Sequence, residues 1–315
     1  LEHYVTLFDG AFLPQGVALH GSLTRHAGDF TLWVLCMDDT AHAVLTRLAL
    51  PNVRLLRLQE VETPELLKVK PSRTRAEYCW TLTPFSVLAV LSRDSHVDRV
   101  TYVDADFWFM KPPTPLFNEL ESSGKQVLMT DHAYAPEYDQ SATSGQYCVQ
   151  FVTFCRTGGL AVLEWWAARC LEWCHARFED GKFGDQKYLE QWPALFPQVH
   201  VLGRHELLLA PWNARRFPYG SAVAYHFHGL RLLKGGKVLL YRGYEVPPGT
   251  RAAVYEPYVK ELAVAVRLLA KASHTAVPQG KSPGVVVAIG ITIKKVLQAV
   301  ARLRPLATAS LPDSD

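Results

Sequence analysis

The stretch Val100-Thr101-Tyr102-Val103-Asp104-Ala105-Asp106-Phe107-Trp108-Phe109 constrains this chain more than any other. Its β-branched and aromatic residues favour a buried strand, and two carboxylates stand at i and i+2 where that strand runs out. Alternate side chains of an extended backbone share a face, so the spacing predicts that Asp104 and Asp106 point the same way. Two anions at the tip of a buried strand repel one another unless a cation lies beside them. A hard divalent ion that also binds a diphosphate resolves that conflict.

Strands and helices alternate around this stretch. Tyr4 to Phe8 reads as a first strand ending at the turn signal Asp9-Gly10. Phe12 to His26 sets Leu13, Val17, Leu19 and Leu23 at helical spacing. Phe30 to Met37 is a continuous apolar run of the kind buried on both faces. Asp38-Asp39-Thr40 caps a helix through Leu48, and Val53 to Leu58 makes a third strand. This rhythm predicts right-handed βαβ units and a parallel sheet. A basic linker with Lys68, Lys70, Arg73 and Arg75 leads into a helix from Ala76 to Ser92, where Pro84 predicts a kink or a late start. The acidic strand follows, and open α/β sheets bind ligands at its carboxyl end. Further strands are expected at Val127 to Thr130, Tyr147 to Cys155, Val199 to Leu202 and Ala222 to Phe227. Between them lie an aromatic-rich helix, Leu160 to Phe178, and a helix starting at Gly184-Asp185-Gln186.

The 315 residues, 49% hydrophobic and 20% charged, supply material for one large α/β domain with an appendage. The expected division is a catalytic domain over 1–250 and a helical extension over 251–315. In the extension, Tyr255 to Ser273 and Val285 to Arg304 set Arg267, Lys271, Lys294, Lys295, Arg302 and Arg304 against Val and Leu. Such helices either lie in a membrane interface or pack on the catalytic domain or a dimer mate. A net charge of +3 is too slight to point to nucleic acid. Six cysteines without a Cys-x-x-Cys pair read as reduced core thiols of a cytoplasmic protein. Cys170, Cys174 and His175 look like a zinc fragment, but Trp165, Trp166, Leu171 and Trp173 around them favour packing. No secretory signal opens the chain, and no apolar run approaches the roughly 20 residues that span a bilayer. The expected location is therefore cytoplasmic, with peripheral membrane contact as the alternative.

Two distant features join the acidic pair. His226 ends another expected strand, and Asp185-Gln186 opens a helix. Asp185 suits a helix N-cap as well as a catalytic role, and His226 is either a metal ligand or a strand-end histidine with a satisfied hydrogen bond. Held by Asp106, His226 and Asp104, Mn2+ or Mg2+ would bind the phosphates of a nucleoside-diphosphate sugar and offset charge on the departing diphosphate. A ligating His226 is neutral, so activity should fall at acid pH. Arg73, Arg75, Arg231 and Lys234 are candidates to meet a phosphate, a solvated basic loop being the alternative for the first two.

Together these residues resemble the GT-A nucleotide-diphospho-sugar transferases, nearest to glycosyltransferase family 8 and its bacterial relatives, over Tyr4 to about Tyr244. Tyr102-Val103-Asp104-Ala105-Asp106 is similar to that family's hydrophobic-Asp-x-Asp motif, His226-Phe227-His228-Gly229 to the start of its His-x-x-Gly-x-x-Lys-Pro-Trp motif, and Gly184-Asp185-Gln186 to its Asp-Gln step. The resemblance implies a Rossmann-like, mostly parallel α/β sheet flanked by helices. It implies that Thr6, Leu7 and Phe8 hold the base and Asp104 meets ribose or metal. It further implies that Asp106 and His226 ligate the metal, and that Asp185 and Gln186 line the sugar site. Arg75, Ala105, Gln150 and Gly229 complete the expected donor site. The chain departs from the pattern in three places: Leu232, Leu233 and Lys234 stand for Lys-Pro-Trp, Cys148-Val149-Gln150 for Asn-x-Gly, and Trp80 for the arginine before the metal motif. The implied activity is metal-dependent transfer, with retention, from a nucleotide-sugar (UDP favoured) to a glycan or glycolipid. The alternatives are a sugar-nucleotide nucleotidyltransferase or hydrolase, and a non-catalytic binding module of the same fold.

Overall fold

The computed structural model describes residues 1–279 and the backbone of a short strand, Thr308–Ser310. The expected helix Val285 to Arg304 lies outside the described residues. The central sheet has seven strands: β1 (Glu2–Phe8), β2 (Phe30–Cys36), β3 (Val53–Arg57), β4 (Arg99–Val103), β6 (Val127–Asp131), β7 (Tyr147–Cys155) and β8 (Val199–Val201). A small second sheet is built from β5 (Phe107–Phe109), β9 (Leu208–Leu209) and β10 (Ala224–His226). The large sheet runs β3-β2-β1-β4-β7-β6-β8. Its neighbours are parallel except at β7, which is antiparallel to both β4 and β6. The fold is thus α/β with the mostly parallel sheet that was expected, and β7 is the strand at which the parallel rhythm is interrupted.

Helices cover both faces, because the inner strands are apolar throughout. One layer buries Leu13, Val17, Leu19 and Leu23 of Leu13–His26 against Tyr4, Leu32 and Val34. The other sets Leu82, Val87 and Val90 of Arg75–Arg93 and Val162, Leu163 and Trp166 of Arg156–Glu172 against Val5, Leu35 and Val152. Asp38 caps Asp39–Leu48 as predicted, its Oδ1 accepting from Ala41 N at 2.8 Å.

The helix Arg75–Arg93 begins in a reciprocal cap. Thr74 Oγ1 accepts from Glu77 N at 3.3 Å and Glu77 Oε2 from Thr74 N at 2.7 Å. The helix is continuous through Pro84, so of the kink or late start predicted there the late start is corrected: the cap, not the proline, decides where it begins. Thr74→Ala should cost about 1 kcal/mol and lower the melting midpoint by about 2–4 °C, read by thermal denaturation. Burial alone would raise the Glu77 carboxyl, yet the N–H groups of Ala176 and Thr74 outweigh it and hold the group at about 2. Glu77 Oε1 accepts from Ala176 N at 2.7 Å, which ties the segment after the second helix to the first.

That second helix ends at Glu172, earlier than the predicted Phe178. Trp173 turns extended and gives its carbonyl to Tyr188 Oη at 2.8 Å. Cys174 and His175 therefore lie outside the helix, with His175 beside Arg73 and Glu77. All six cysteines are free thiols.

At the other end of the chain, Glu256–Lys271 follows a π-helical turn, Arg251–Tyr255. It lays Leu262, Ala265 and Leu269 on the helix Leu13–His26, with Glu261 paired to Arg25 at 3.0 Å. Its apolar face is spent on the chain's own core. Among the described residues no helix is long and apolar enough to cross a membrane.

Candidate active site

Strand β4 stops at Val103, one residue before the acidic pair. Asp104-Ala105-Asp106 is a tight turn closed by Phe107 N donating to Asp104 O at 3.1 Å. The two carboxylates converge through this turn and not, as predicted, through the alternation of a continuing strand. The chain turns because Phe107–Phe109 leaves the main sheet to pair with β10. That antiparallel register sets His226 opposite Phe107, and Phe227 N donates to Asp106 O at 2.9 Å. Residues 120 positions apart in sequence meet by strand pairing.

The result is a compact donor set. His226 Nε2 lies 3.2 Å from Asp106 Oδ1 and 3.5 Å from Asp104 Oδ2. Among the described residues this is the cluster whose ligand atoms all fall within 4.8 Å of one another. On the far side of the ring, Nδ1–H donates to Gln150 Oε1 at 3.0 Å, which turns Nε2 toward the carboxylates. Tyr102 Oη donates to Asp104 Oδ1 at 2.9 Å. A small divalent ion with ligands at about 2.1 Å places adjacent ligands about 3 Å apart, so the set fits such an ion.

Burial and mutual charge perturb every member. Burial lowers the His226 imidazole, but Asp106 and Asp104 outweigh it and lift the ring well above its ordinary value. Burial raises Asp106, and His226 overrides it, holding that carboxyl at about 2. Asp104 stays above the usual range because burial exceeds the help from His226. Asp185 is pushed up to about 8, by burial first and the Asp104 charge second.

The cluster lies on the wall of a cleft of about 690 Å3, along with Leu7, Phe8, Ala105 and Gln150. Asp185, Gln186, Arg75 and Arg231 reach the same cleft. The Thr6 side chain is fully buried in the sheet, so Leu7 and Phe8 alone of that trio face the opening. Gly229 forms a positive-φ turn behind His228 and is off the wall. Arg75 is 61% exposed and anchored to Asp9 at 2.6 Å and Asp38 at 2.7 Å. Arg231 stacks over Phe12 at 5.4 Å. Arg73 and Lys234 are not on the wall; Arg73 is engaged by His175 and the Leu171 carbonyl.

Asp185 is no helix cap. It sits in a turn, and the first helical residue after it belongs to the 3-10 segment Lys187–Gln191. Gly184 permits the approach: at φ +53 its added Cβ would stand 3.4 Å from the Trp80 ring. Trp166, fully buried between Phe154 and Trp192, donates Nε1–H to Asp185 O at 2.8 Å. Trp166→Phe keeps most of the ring but orphans that carbonyl, so a loss of about 1–3 kcal/mol is expected in urea denaturation.

Sequence reasoning missed Tyr102, Trp212, Tyr134, His132 and Tyr244, all on the cleft wall. Tyr102 was within reach, since it precedes Asp104 by two in the same motif. The others come from loops whose partners only the folded chain brings near.

No family model matches the chain. It is 33% identical over 249 residues to the uncharacterized protein YfnF of Bacillus subtilis (strain 168), covering 73% of this chain and 82% of YfnF. With the uncharacterized protein YfnD of the same strain it is 30% identical over 279 residues, covering 82% of this chain and 88% of YfnD. The chain belongs to the YfnF and YfnD family. Its backbone is similar to the galactosyltransferase LgtC solved with donor and acceptor sugar analogs, at a TM-score of 0.51 and 12% identity over 83% of this chain and 95% of that one. It is also similar to the glycosyltransferase GlyE of Streptococcus pneumoniae TIGR4, at 0.50 and 13% identity over 89% and 66%. For this member of the YfnF and YfnD family, these likenesses show a GT-A fold.

Proposed function

We propose that this chain is a metal-dependent glycosyltransferase resembling family 8, which moves a sugar from a nucleotide-diphospho-sugar, UDP-linked by preference, to a glycan or glycolipid acceptor with retention. One observation supports it above the rest: Asp104, Asp106 and His226 converge at the carboxyl edge of the sheet, in a cleft that two arginines share. The three side chains would hold Mn2+ or Mg2+, and such an ion when bound supplies positive charge to a leaving diphosphate. Gln150 keeps His226 in the ligating orientation, and Tyr102 does the same for Asp104. Arg75 and Arg231 bring further positive charge to the donor phosphates, while Leu7 and Phe8 offer an apolar wall to the base. Asp185 and Gln186 meet the hydroxyls of the donor sugar.

The test is a panel of UDP-, GDP- and CMP-sugars with and without Mn2+, followed by thermal shift and by release of the nucleotide (UDP, GDP or CMP). Stabilisation and release that both require Mn2+ are expected. Release of a nucleoside triphosphate when pyrophosphate is added to the donor would mark a nucleotidyltransferase, against which the lysine-free turn Phe8-Asp9-Gly10-Ala11-Phe12 already argues. Stabilisation without any turnover would mark a binding module, and no stabilisation by any sugar nucleotide would reject the donor site.

A further inference from the structure

We infer that Gln279 is a positioning residue for the cationic edge of the cleft: it clasps the two backbone segments whose side chains, Phe12 and Arg231, form that edge. The inference rests on the transferase reading above, in which Arg231 meets the donor's phosphates. Gln279 belongs to the chain beyond the helix Glu256–Lys271, outside the range 1–250 expected to hold the site. Four hydrogen bonds meet at this one residue. Its backbone N–H donates to Leu232 O at 2.8 Å, and its Oε1 accepts from Leu232 N at 3.1 Å. The pair is closed in both directions, as between two strands, with a side-chain carbonyl in place of a main-chain one. Gln279 Nε2 donates to Ala11 O at 2.8 Å, and Oε1 also accepts from Gln15 Nε2 at 2.9 Å. Gln15 is fully buried in the helix Leu13–His26, so the clasp is anchored in the core.

Neither Gln279 nor the residues it holds are on the cleft wall; their neighbours are. Ala11 precedes Phe12 and Leu232 follows Arg231, and the Arg231 guanidinium lies 5.4 Å from the centre of the Phe12 ring. The clasp therefore fixes the separation of the two partners of that stack. The two arginines of the wall are held differently. Arg75 is bound by the carboxylates of Asp9 and Asp38, whereas Arg231 has no ion-pair partner among the described residues and donates Nη1 to Leu230 O at 2.7 Å. Against burial, and after His226, the Arg231 charge helps hold the Asp106 carboxyl at about 2, so it is felt at the metal-ligand cluster. A guanidinium so placed keeps its charge for a ligand. Its aim depends on the neutral contacts that join Phe12 to the strand Arg231–Leu232, and Gln279 supplies them.

Titration calorimetry of the full chain with UDP and with GDP, each in the presence of Mn2+, tests this. Gln279→Ala should weaken the diphosphate that the wild type binds by about tenfold. In an Arg231→Ala background the same change should weaken it by less than about twofold, because the effect passes through Arg231. A residue that only staples the fold would lower the melting midpoint and leave both affinities where they were. Gln279→Met keeps the length and packing of the side chain without its bonds, should match Gln279→Ala, and decides the matter if the shorter variant does not fold. Wild-type affinity in a folded Gln279→Met protein, or an equal loss with and without Arg231, would overturn the inference and leave the donor site standing. Binding of neither diphosphate by the wild type would reject the donor reading itself, and the inference with it.

Discussion

Asp106→Ala is expected to lower Mn2+-dependent sugar transfer by at least about a thousandfold, or roughly 4 kcal/mol of transition-state stabilisation. The carboxylate is held at about 2, so it is ionised throughout the working range and offers a full charge to a cation. Its Oδ1 lies 3.2 Å from His226 Nε2, the shorter of the two ion-pair distances in the cluster. Removing it leaves Asp104 and His226 as two ligands, too few to compete with water for a hard ion. The backbone at this position is secured separately, through Phe227 N on Asp106 O, so the variant should fold. The discriminating measurement is the thermal shift on adding Mn2+ and donor, which the wild type shows and the variant loses. Turnover near the wild-type level would reject the metal role outright.

Asp185→Asn should do two opposite things, stabilising the metal-free protein at alkaline pH while lowering transfer about a hundredfold. Asp185 has a folded value of about 8 against an ordinary one near 4. Between those pH values the folded chain holds a proton that the unfolded chain has released, so stability falls as pH rises. The full effect is up to about 5 kcal/mol, present as destabilisation above pH 8 and absent below pH 4. Asparagine fills the same space without titrating. Melting curves at pH 5 and pH 8 should therefore show the variant gaining on the wild type as pH rises. An identical pH slope in both proteins would mean that Asp185 ionises freely and is not the buried carboxyl described here.

Much of the site was legible because its parts carry local signals. A β-branched run into Asp-x-Asp announces a strand end, and Asp38 or Thr74 announces a helix start through the capping geometry their side chains reach. The reading failed where competing partners decide the outcome. Pro84 suggested a kink or a late start, yet the helix begins at Arg75, since a helix long enough to be packed on one face tolerates one missing donor. Asp185 looked like a cap, but its burial and the bond from Trp166 to its carbonyl set it in a turn facing the cleft.

The amino-acid order by itself determined the alternation of strands and helices, the place of the acidic pair at a strand's end and the candidate imidazole, because hydrophobic period and residue chemistry are written locally. Only the tertiary structure decided the antiparallel β7, the turn that brings Asp104 and Asp106 together, the register that delivers His226, and the aromatic residues of the cleft wall. Each of those depends on which distant backbone groups pair, a competition among long-range partners that no local pattern records.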